Sequence, residues 1–204
     1  MIQKRRCDWC DADSALYVDY HDKEWGVPCA DDTTLFQMLV LEGMQAGLSW
    51  LTVLKKRASF VRAFDGFDPL VVASYPESKV EALLDDSTII RNRLKINSAV
   101  KNAAVVLELQ RHSLSFGRYL WGWVEYRPVL NHFQRMEEVP AETELSRQIS
   151  KDLKKRGMSF VGPTIVYALM QSVGLVNDHL LGCFRHEQCR LLGEEFARSR
   201  RWER

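Results

Sequence analysis

The cysteine and histidine residues of this chain are spaced as the ligands of a metal ion would be. His179 and Cys183 are four positions apart in a segment that we predict to be helical, which would place both side chains on one face, one turn apart. Cys7 and His21 lie near the other end of the chain. Two thiolates and two imidazoles make up the full ligand set that is typical of structural zinc. A site of this kind would tie the two ends of the chain together.

The spacing alone leaves a second ligand set open. Cys7 and Cys10 form a C-x2-C pair, which is also typical of zinc sites and could join the two C-terminal ligands without His21. Cys189 is a further candidate. The sequence has five Cys, and none falls between Cys29 and the C-terminal group. In a cytosolic chain this distribution favours a metal site over a disulfide framework.

The elements that must position these residues are predicted to be helices, so the fold class is all-α. Nearly every segment has a helical rather than a strand period. Polar residues that can cap helices precede the apolar stretches: Ser14, Asp31 or Asp32, Asp68 before Pro69, Thr143, and Asn177 or Asp178 ahead of the helix assigned to His179. Residues 1–192 are expected to form one helical domain of two lobes whose termini are joined by zinc. Residues 193–204 are expected to form a charged tail, either a frayed helix or disordered.

Two predicted helices meet at a short turn rich in Asn and cations. The first runs from Pro76 to Asp86, the chain breaks at Ser87-Thr88, and the second begins near Arg93. A helix-hairpin-helix of this kind can present backbone N–H groups to a phosphate, although an ordinary helical hairpin gives the same pattern. The net charge is only +1, so any DNA-binding face must concentrate the cations. Three clusters can do so: Lys55-Lys56-Arg57, the cations from Arg91 to Lys95, and Lys154-Lys155-Arg156.

Composition sets broad limits on the class of protein. The chain has 204 residues, of which 46% are hydrophobic and 27% charged, as is usual for a globular protein. It contains no run of 18 apolar residues and no signal-peptide core near its start, so we expect a cytoplasmic protein without a membrane span. The aromatic segment from Gly117 to Pro128 is expected to pack in the core.

Several strings of residues resemble the 3-methyladenine DNA glycosylase I family. They occur in the family's order and cover roughly residues 6 to 184. They are Cys7-Asp8-Trp9, Tyr17-x-x-Tyr20-His21-Asp22-x-Glu24-Trp25-Gly26-Val27-Pro28, residues 41–50 (LEGMQAGLSW), residues 89–93 (IIRNR), residues 154–162 (KKRGMSFVG) and residues 174–179 (GLVNDH). The chain departs from the family's pattern at Thr88 and Leu94, where some relatives have Gly.

The resemblance implies a fold, an activity and a set of site residues. It implies a helical glycosylase fold containing a helix-hairpin-helix, and a monofunctional enzyme that hydrolyses the N-glycosidic bond of 3-methyladenine in double-stranded DNA. A monomer is the default expectation for a chain of this size. The resemblance favours one structural Zn2+ on Cys7, His21, His179 and Cys183 over the alternative ligand sets. It places Glu42 in the base pocket, as the residue that recognises the base and as a catalytic candidate. The aromatic residues around it are Tyr17, Tyr20, Trp25 and Trp50. The expected DNA contacts are Arg91, Asn92, Arg93, Lys95, Lys155 and Arg156.

The chemistry of this activity accounts for these residue types. A base inside a duplex must be flipped into a pocket, and aromatic side chains can stack on it there. Methylation at N3 makes adenine cationic, so a carboxylate on a mostly apolar helix can recognise it. A cationic purine is also a good leaving group, which makes a general acid dispensable, and no Asp occurs from Ser87 to Lys151. As alternatives, the same features fit a non-catalytic zinc-containing DNA-binding module or, less well, a metal-dependent hydrolase.

Overall fold

The residues that the structure describes form ten α-helices and one small parallel sheet. This computed structural model describes residues 4–113 and 115–199. In chain order the helices are α1 (Ala15–Lys23), α2 (Asp32–Gln45), α3 (Trp50–Ala63), α4 (Pro69–Ala73), α5 (Glu77–Asp85), α6 (Arg93–Ser113), α7 (Phe116–Gly122), α8 (Glu144–Lys155), α9 (Pro163–Ser172) and α10 (Phe184–Arg198). Short 3-10 helices span Asp65–Phe67 and Met136–Glu138. None of these described helices combines the length and apolar character needed to cross a membrane.

The small parallel sheet was not predicted from the sequence. Its strands, β1 (Val129–Leu130) and β2 (Val176–Asn177), have two residues each and pair in parallel, with Val129 opposite Val176. The prediction of a mainly helical fold is otherwise confirmed.

The helices begin at the polar side chains predicted to cap them. In each case a side-chain oxygen accepts a hydrogen bond from a backbone N–H that lacks a partner within the helix. The pairs are Ser14 with Tyr17 (3.4 Å), Asp31 with Thr34 (2.8 Å), Asp68 with Leu70 (2.8 Å) and Thr143 with Ser146 (3.1 Å). Asp32, the alternative cap of α2, instead accepts hydrogen bonds from the backbone N–H groups of Phe116 and Gly117. It therefore anchors the start of α7.

Helix α2 runs through the centre of the molecule. It packs against α3, α6, α7 and α9, and Leu35, Phe36 and Leu39 are at most 1% exposed. Apolar residues cover nearly its whole circumference, as expected for a helix enclosed by other helices. Glu42, in the last turns of α2, is therefore held in the protein interior.

A close backbone contact joins two of the strings noted above. Gly174 has a φ of +73°, and a Cβ at this position would lie 2.5 Å from the backbone nitrogen of Pro28. Only glycine fits both the left-handed conformation and this approach. The N–H of Cys29 also donates to the carbonyl oxygen of Val173 (3.1 Å). The segment that follows α1 is thus fixed against the end of α9.

The two predicted hairpin helices are present as α5 and α6, joined by residues 86–92. Arg93 at the start of α6 forms ion pairs with Glu77 (3.0 Å) and Glu81 (2.8 Å) on α5. These contacts brace one helix of the hairpin against the other. The structure thus contains the predicted pair of helices.

The segment that contains His179 is not helical, so the prediction of a helix carrying both His179 and Cys183 is wrong. Asn177 belongs to β2, and α10 begins only at Phe184, with Cys183 as its N-cap. Asp178 does not cap a helix. Its carboxylate accepts hydrogen bonds from the side chains of Asn131 (2.7 Å), Tyr167 (2.5 Å) and Gln171 (2.8 Å). These tertiary contacts outweigh the local tendency to start a helix at this point.

Helix α10 continues through Arg198, which is six residues into the segment predicted as a charged tail. Phe196 within it is 5% exposed, and its ring centroid lies 4.2 Å from that of Trp121. Trp121 is fully buried, as predicted for the aromatic segment. This apolar contact gives residues 193–198 an ordered helical structure. Residues 200–204 of the predicted tail lie outside the described residues.

Candidate active site and metal centre

A cavity of about 500 Å³ opens between the N-terminal helices and α9. The five residues predicted to form the base pocket all line it. The lining comprises Trp9, Tyr17, Tyr20, Trp25, Glu42, Gln45, Ser49, Trp50, Met136, Val139, Pro140, Ala141, Thr164, Tyr167, Ala168 and Gln171. A second cavity of similar size, about 510 Å³, is lined mainly by residues of α10 and contains none of the predicted site residues.

Glu42 is the acid of the first cavity. It is only 5% exposed, and burial raises its pKa to about 8, an effect that a hydrogen bond with Ser172 partly offsets. No Lys, Arg or His forms an ion pair with it among the described residues. A carboxyl group held in this way is largely protonated at neutral pH. It gains an electrostatic partner only if a cation enters the cavity.

Aromatic side chains from α1, α3 and the segment after α1 surround the carboxyl group. The rings of Tyr20 and Trp50 lie 5.4 Å apart, and the hydroxyl of Tyr17 accepts a hydrogen bond from the backbone N–H of Leu51 (3.2 Å). Burial raises the pKa of Tyr20, so its hydroxyl stays protonated. The arrangement provides flat apolar faces next to an acid.

Trp9 also lines the cavity, although it is not among the predicted site residues. Its ring lies 5.8 Å from Tyr17, 6.2 Å from Tyr20 and 5.0 Å from Trp25. The sequence contains one signal for it, since Trp9 follows the candidate ligand Cys7 by two positions. A residue so close to a metal ligand is brought to the same place as the elements that the metal joins.

Two buried hydrogen-bond donors on side chains of the cavity wall have no partner in the part of the chain that the structure describes. The indole N–H groups of Trp9 and Trp50 are inaccessible to solvent and donate to no protein atom among the described residues. Buried donors are rarely left in this state unless water or a ligand supplies an acceptor. Together with Glu42, they give the cavity polar groups that a ligand could satisfy.

The four predicted metal ligands lie together in a second, fully enclosed cluster. Cys7, His21, His179 and Cys183 are all buried, and their ligand atoms lie within 4.8 Å of one another. The sulfur of Cys183 is 3.5 Å from both His21 Nε2 and His179 Nδ1. Cys10, the alternative ligand, is buried outside this group, and Cys29 is partly exposed. The cluster can therefore hold a metal ion.

Both imidazoles of the cluster are oriented by hydrogen bonds at the nitrogen that faces away from it. His21 donates from Nδ1 to the Asp22 carboxylate (2.8 Å), and Arg6 donates two hydrogen bonds to the same carboxylate. His179 donates from Nε2 to the carbonyl oxygen of Trp25 (2.9 Å). Each imidazole thus turns a lone pair towards the two sulfurs, the arrangement usual for metal-binding His. Burial also lowers the pKa of His179, which favours its neutral form.

The two thiols compete for the same protons. The hydrogen bond from the Cys7 thiol lowers the pKa of Cys183. The same hydrogen bond and burial raise the pKa of Cys7. A divalent cation would stabilise both sulfurs as thiolates. The donor set therefore fits a metal ion, with four protein ligands and no open coordination position.

Most of the predicted DNA-contacting residues lie on the surface at two neighbouring sites. Arg91, Asn92 and Arg93 are exposed at the hairpin turn and the start of α6, and Lys155 and Arg156 are exposed at the end of α8. Two of the cations have acidic partners: Arg93 those described above, and Arg156 the carboxylate of Asp152 (2.6 Å). Arg91 and Lys155 form no ion pair among the described residues. These two carry the unbalanced positive charge.

Lys95 differs from the other predicted DNA contacts because its side chain points inward. It is only 7% exposed, and its Nζ donates to the carbonyl oxygens of Met44 (2.9 Å) and Ala46 (2.6 Å). The structure therefore does not bring it to the surface with the remaining cations. At the backbone, the N–H of Lys95 donates to the side-chain oxygen of Asn92 (3.1 Å), which caps the first turn of α6.

Comparison with known proteins identifies the family. Residues 9–186 match the methyladenine glycosylase family. DNA-3-methyladenine glycosylase 1 of Escherichia coli (strain K12) is 47% identical over 178 residues, which cover 87% of this chain and 95% of that protein. A crystal structure of a 3-methyladenine DNA glycosylase I matches with a TM-score of 0.85 and 46% identity, covering 88% of this chain and 98% of the other. A variant of a 3-methyladenine DNA glycosylase I in complex with 3-methyladenine matches with a TM-score of 0.85 at 32% identity, covering 88% and 96%.

The chain therefore belongs to the methyladenine glycosylase family. It is an enzyme of the glycosylase class, and the resemblance noted in the sequence is confirmed.

Proposed function

We propose that this protein is a DNA repair enzyme that hydrolyses the N-glycosidic bond of 3-methyladenine in alkylated double-stranded DNA. The observation that carries the proposal is the buried carboxyl group of Glu42 in the wall of an aromatic cavity, with no cationic partner among the described residues. Such a site suits a flat ring with a positive charge. The named activity of the Escherichia coli relative and the 3-methyladenine bound to the related structure support the same substrate.

Recognition depends on the charge that methylation places on the base. When a cationic base enters, its charge favours the carboxylate form of Glu42, and the proton held at a pKa of about 8 is released. Unmodified adenine is neutral, so it leaves the acid either protonated or buried as an unpaired charge. Stacking on Tyr17, Tyr20, Trp25 and Trp50 contributes about 1–3 kcal/mol for each stacked base with little dependence on methylation. The acid therefore supplies the selectivity.

Bond cleavage relies mainly on the lesion itself. A cationic purine leaves readily, and water can attack the developing oxocarbenium ion. The base loses its positive charge as the bond breaks, so the attraction to Glu42 stabilises the ground state more than the transition state. We therefore assign Glu42 chiefly to recognition. Its catalytic share lies in orienting the water or stabilising the positive sugar.

The damaged nucleotide reaches the cavity by base flipping. Arg91, Asn92, Lys155 and Arg156 are exposed and suited to hold the phosphates on either side, with Arg93 supporting the hairpin. Leu48 is 42% exposed in the loop between Glu42 and Trp50. An apolar side chain at the rim of the cavity can enter the gap that the flipped base leaves in the stack.

The metal held by the cluster is proposed to be a single structural Zn2+. Cys7, His21, His179 and Cys183 provide the soft, four-ligand set that zinc prefers. Zinc would link the start of the chain to the segment between β2 and α10, and it would leave no position for a reacting water. This ligand set makes a metal-dependent hydrolase mechanism a poor fit.

The test is chromatographic analysis of the bases that the zinc-loaded protein releases from methylated duplex DNA. We expect free 3-methyladenine without any added cofactor, and much less release by Glu42→Ala. Tight binding of methylated DNA without base release would instead support the non-catalytic DNA-binding module. Absence of release by folded, metal-loaded protein would overturn the proposal.

A further inference from the structure

Lys95 is a buried cation that neither recognition nor cleavage, as described above, requires. Its side chain leaves α6 directly after the hairpin turn and enters the interior, where Nζ lies 2.9 Å from the carbonyl oxygen of Met44 and 2.6 Å from that of Ala46. Burial lowers its pKa. An ammonium group is rarely found so little exposed unless polar groups surround it. The two carbonyl oxygens provide that environment.

Both carbonyl groups belong to the C-terminal end of α2. Ala46 is the C-cap of that helix, and α2 has no basic residue in its own last turn. The carbonyl end of a helix carries a partial negative charge, which a nearby cation stabilises. Lys95 supplies this cation from α6, so the hairpin stabilises the end of the helix that carries Glu42.

The contact also fixes the short loop between α2 and α3. Residues 46–49 connect Glu42 and Trp50 in the cavity wall, and Gly47 in this loop has a φ of +80°. Leu48 is exposed at its tip, while Ser49 lines the cavity. All four loop residues are exposed, and the loop is held by hydrogen bonds that include the one from the N–H of Leu48 to the carbonyl oxygen of Gln45.

A second lysine makes the reciprocal connection. Lys56 on α3 donates from Nζ to the carbonyl oxygens of Ser87 (3.1 Å) and Thr88 (3.0 Å) in the hairpin turn. One lysine therefore runs from the hairpin to the cavity loop, and the other runs from the cavity side to the hairpin turn. The relative position of the two segments is fixed from both sides.

We propose that Lys95 is a positioning residue that holds residues 46–49 in register with the hairpin turn, so that DNA held at the turn delivers its flipped base to the cavity. The inference rests on the proposed function. Without the ammonium group, excision from duplex DNA falls, whereas binding of the free base changes little. Tyr17, Tyr20 and Trp25 keep their places on or after α1. Glu42 lies in the buried part of α2, before the carbonyl groups that lose the contact. If Lys95 served only to stabilise the fold, its loss would reduce excision and binding of the free base together, because less protein would be folded.

The test compares Lys95→Met with Lys101→Met. Methionine keeps an unbranched apolar side chain but donates no hydrogen bond, and Lys101 is an exposed residue of the same helix, so both variants lose one charge from α6. Three quantities are measured: single-turnover release of 3-methyladenine from duplex DNA, the dissociation constant of free 3-methyladenine, and hydrogen exchange of residues 46–49.

For Lys95→Met we expect release to slow by about tenfold or more, since small displacements of a reacting group have effects of this size. The dissociation constant of the free base stays within about twofold, and exchange of the loop amides becomes faster. Lys101→Met leaves all three unchanged. Unchanged loop exchange in Lys95→Met, or equal losses of release and free-base affinity, overturns the proposal.

Two further outcomes are covered by the same measurements and by a second variant. If the wild type releases no base, the proposed function fails, and the hydrogen exchange of the loop still decides whether Lys95 holds it. If Lys95→Met does not fold, Lys95→Arg takes its place, since arginine keeps the charge but moves its donors on a larger planar head. Slower release at unchanged free-base affinity supports the proposal in that variant. Altered loop exchange with normal release overturns it.

Discussion

The cluster of Cys and His ligands and the aromatic cavity around Glu42 lie side by side. The polar groups of the cluster have partners, whereas several of those in the cavity do not. In the cluster every ligand atom faces the other three, and both imidazoles donate at the far nitrogen. In the cavity Glu42 has no cationic partner, and the N–H groups of Trp9 and Trp50 have no acceptor among the described residues. A complete set of contacts stabilises the fold, whereas an incomplete set in a buried place is available to a ligand.

The largest effect is expected from removing a ligand of the Cys and His cluster. His179→Ala removes one of the four ligands, while the sulfur of Cys183 keeps its contacts with His21 Nε2 and the backbone N–H of Arg185. Structural zinc contributes on the order of 10 kcal/mol to the stability of small zinc domains, so we expect loss of the metal and a fall of more than about 3 kcal/mol in the free energy of unfolding. Metal analysis and thermal unfolding measure the two effects.

Cys10→Ala is the matched control for this change, because Cys10 is also buried but lies outside the cluster. Full metal content is expected in that variant. Loss of metal from Cys10→Ala together with normal content in His179→Ala would identify the other ligand set.

The next largest effect is expected from removing the acid of the aromatic cavity. Glu42→Gln keeps the shape of the side chain but removes the negative charge that a cationic base induces. Loss of a charge-assisted contact of about 2–3 kcal/mol corresponds to a fall of roughly 100-fold in affinity for DNA that contains 3-methyladenine. The DNA concentration that gives half-maximal single-turnover release measures this affinity. Glu108→Gln, an exposed change on α6, is expected to bind with the wild-type affinity. An affinity near that of the wild type in Glu42→Gln would contradict recognition by charge.

The same substitution is expected to stabilise the protein in a pH-dependent manner. The pKa of Glu42 is raised to about 8 in the folded protein from 4.5, so the folded state keeps a proton that the unfolded chain loses between these values. Wild-type stability therefore falls as pH rises through this window, and the Gln variant lacks this dependence. From pH 5 to pH 7 the difference in unfolding free energy should grow by about 2 kcal/mol in favour of Glu42→Gln. Denaturant titrations at the two pH values measure it, and a constant difference would contradict it.

The smallest effects are expected outside both regions. Arg91→Ala and Lys155→Ala each remove one exposed cation, so DNA affinity should weaken about threefold to tenfold and depend less steeply on salt. Metal content and affinity for the free base should not change. Binding titrations at several salt concentrations test this. An unchanged salt dependence in both variants would place the DNA elsewhere on the surface.

Features set by neighbouring residues could be predicted from the sequence, and features set by distant ones could not. The caps at Ser14, Asp31 and Thr143 depend on the next few residues, and the structure confirms them. The turn around Asp178 depends on Asn131, more than forty positions away, so a local rule placed a helix there.

The candidate site divides in the same way. The residue types of the cavity and the cluster are visible in the sequence, but the choice of ligands among the five Cys needed the resemblance. The inward direction of Lys95 depends on Met44 and Ala46, which come from another helix. Cationic residues are usually exposed, so composition predicts a surface role for Lys95 that the packing of α6 on α2 prevents.

Trp25 belongs to both regions, and this has a thermodynamic consequence. Its ring lines the cavity, while its carbonyl oxygen accepts the hydrogen bond of His179. A metal in the cluster and a base in the cavity therefore favour the same position of one residue. Such linkage is reciprocal: if metal raises the affinity for the base by some factor, the base raises the affinity for metal by the same factor. An enzyme short of metal would then bind its substrate more weakly by that same factor.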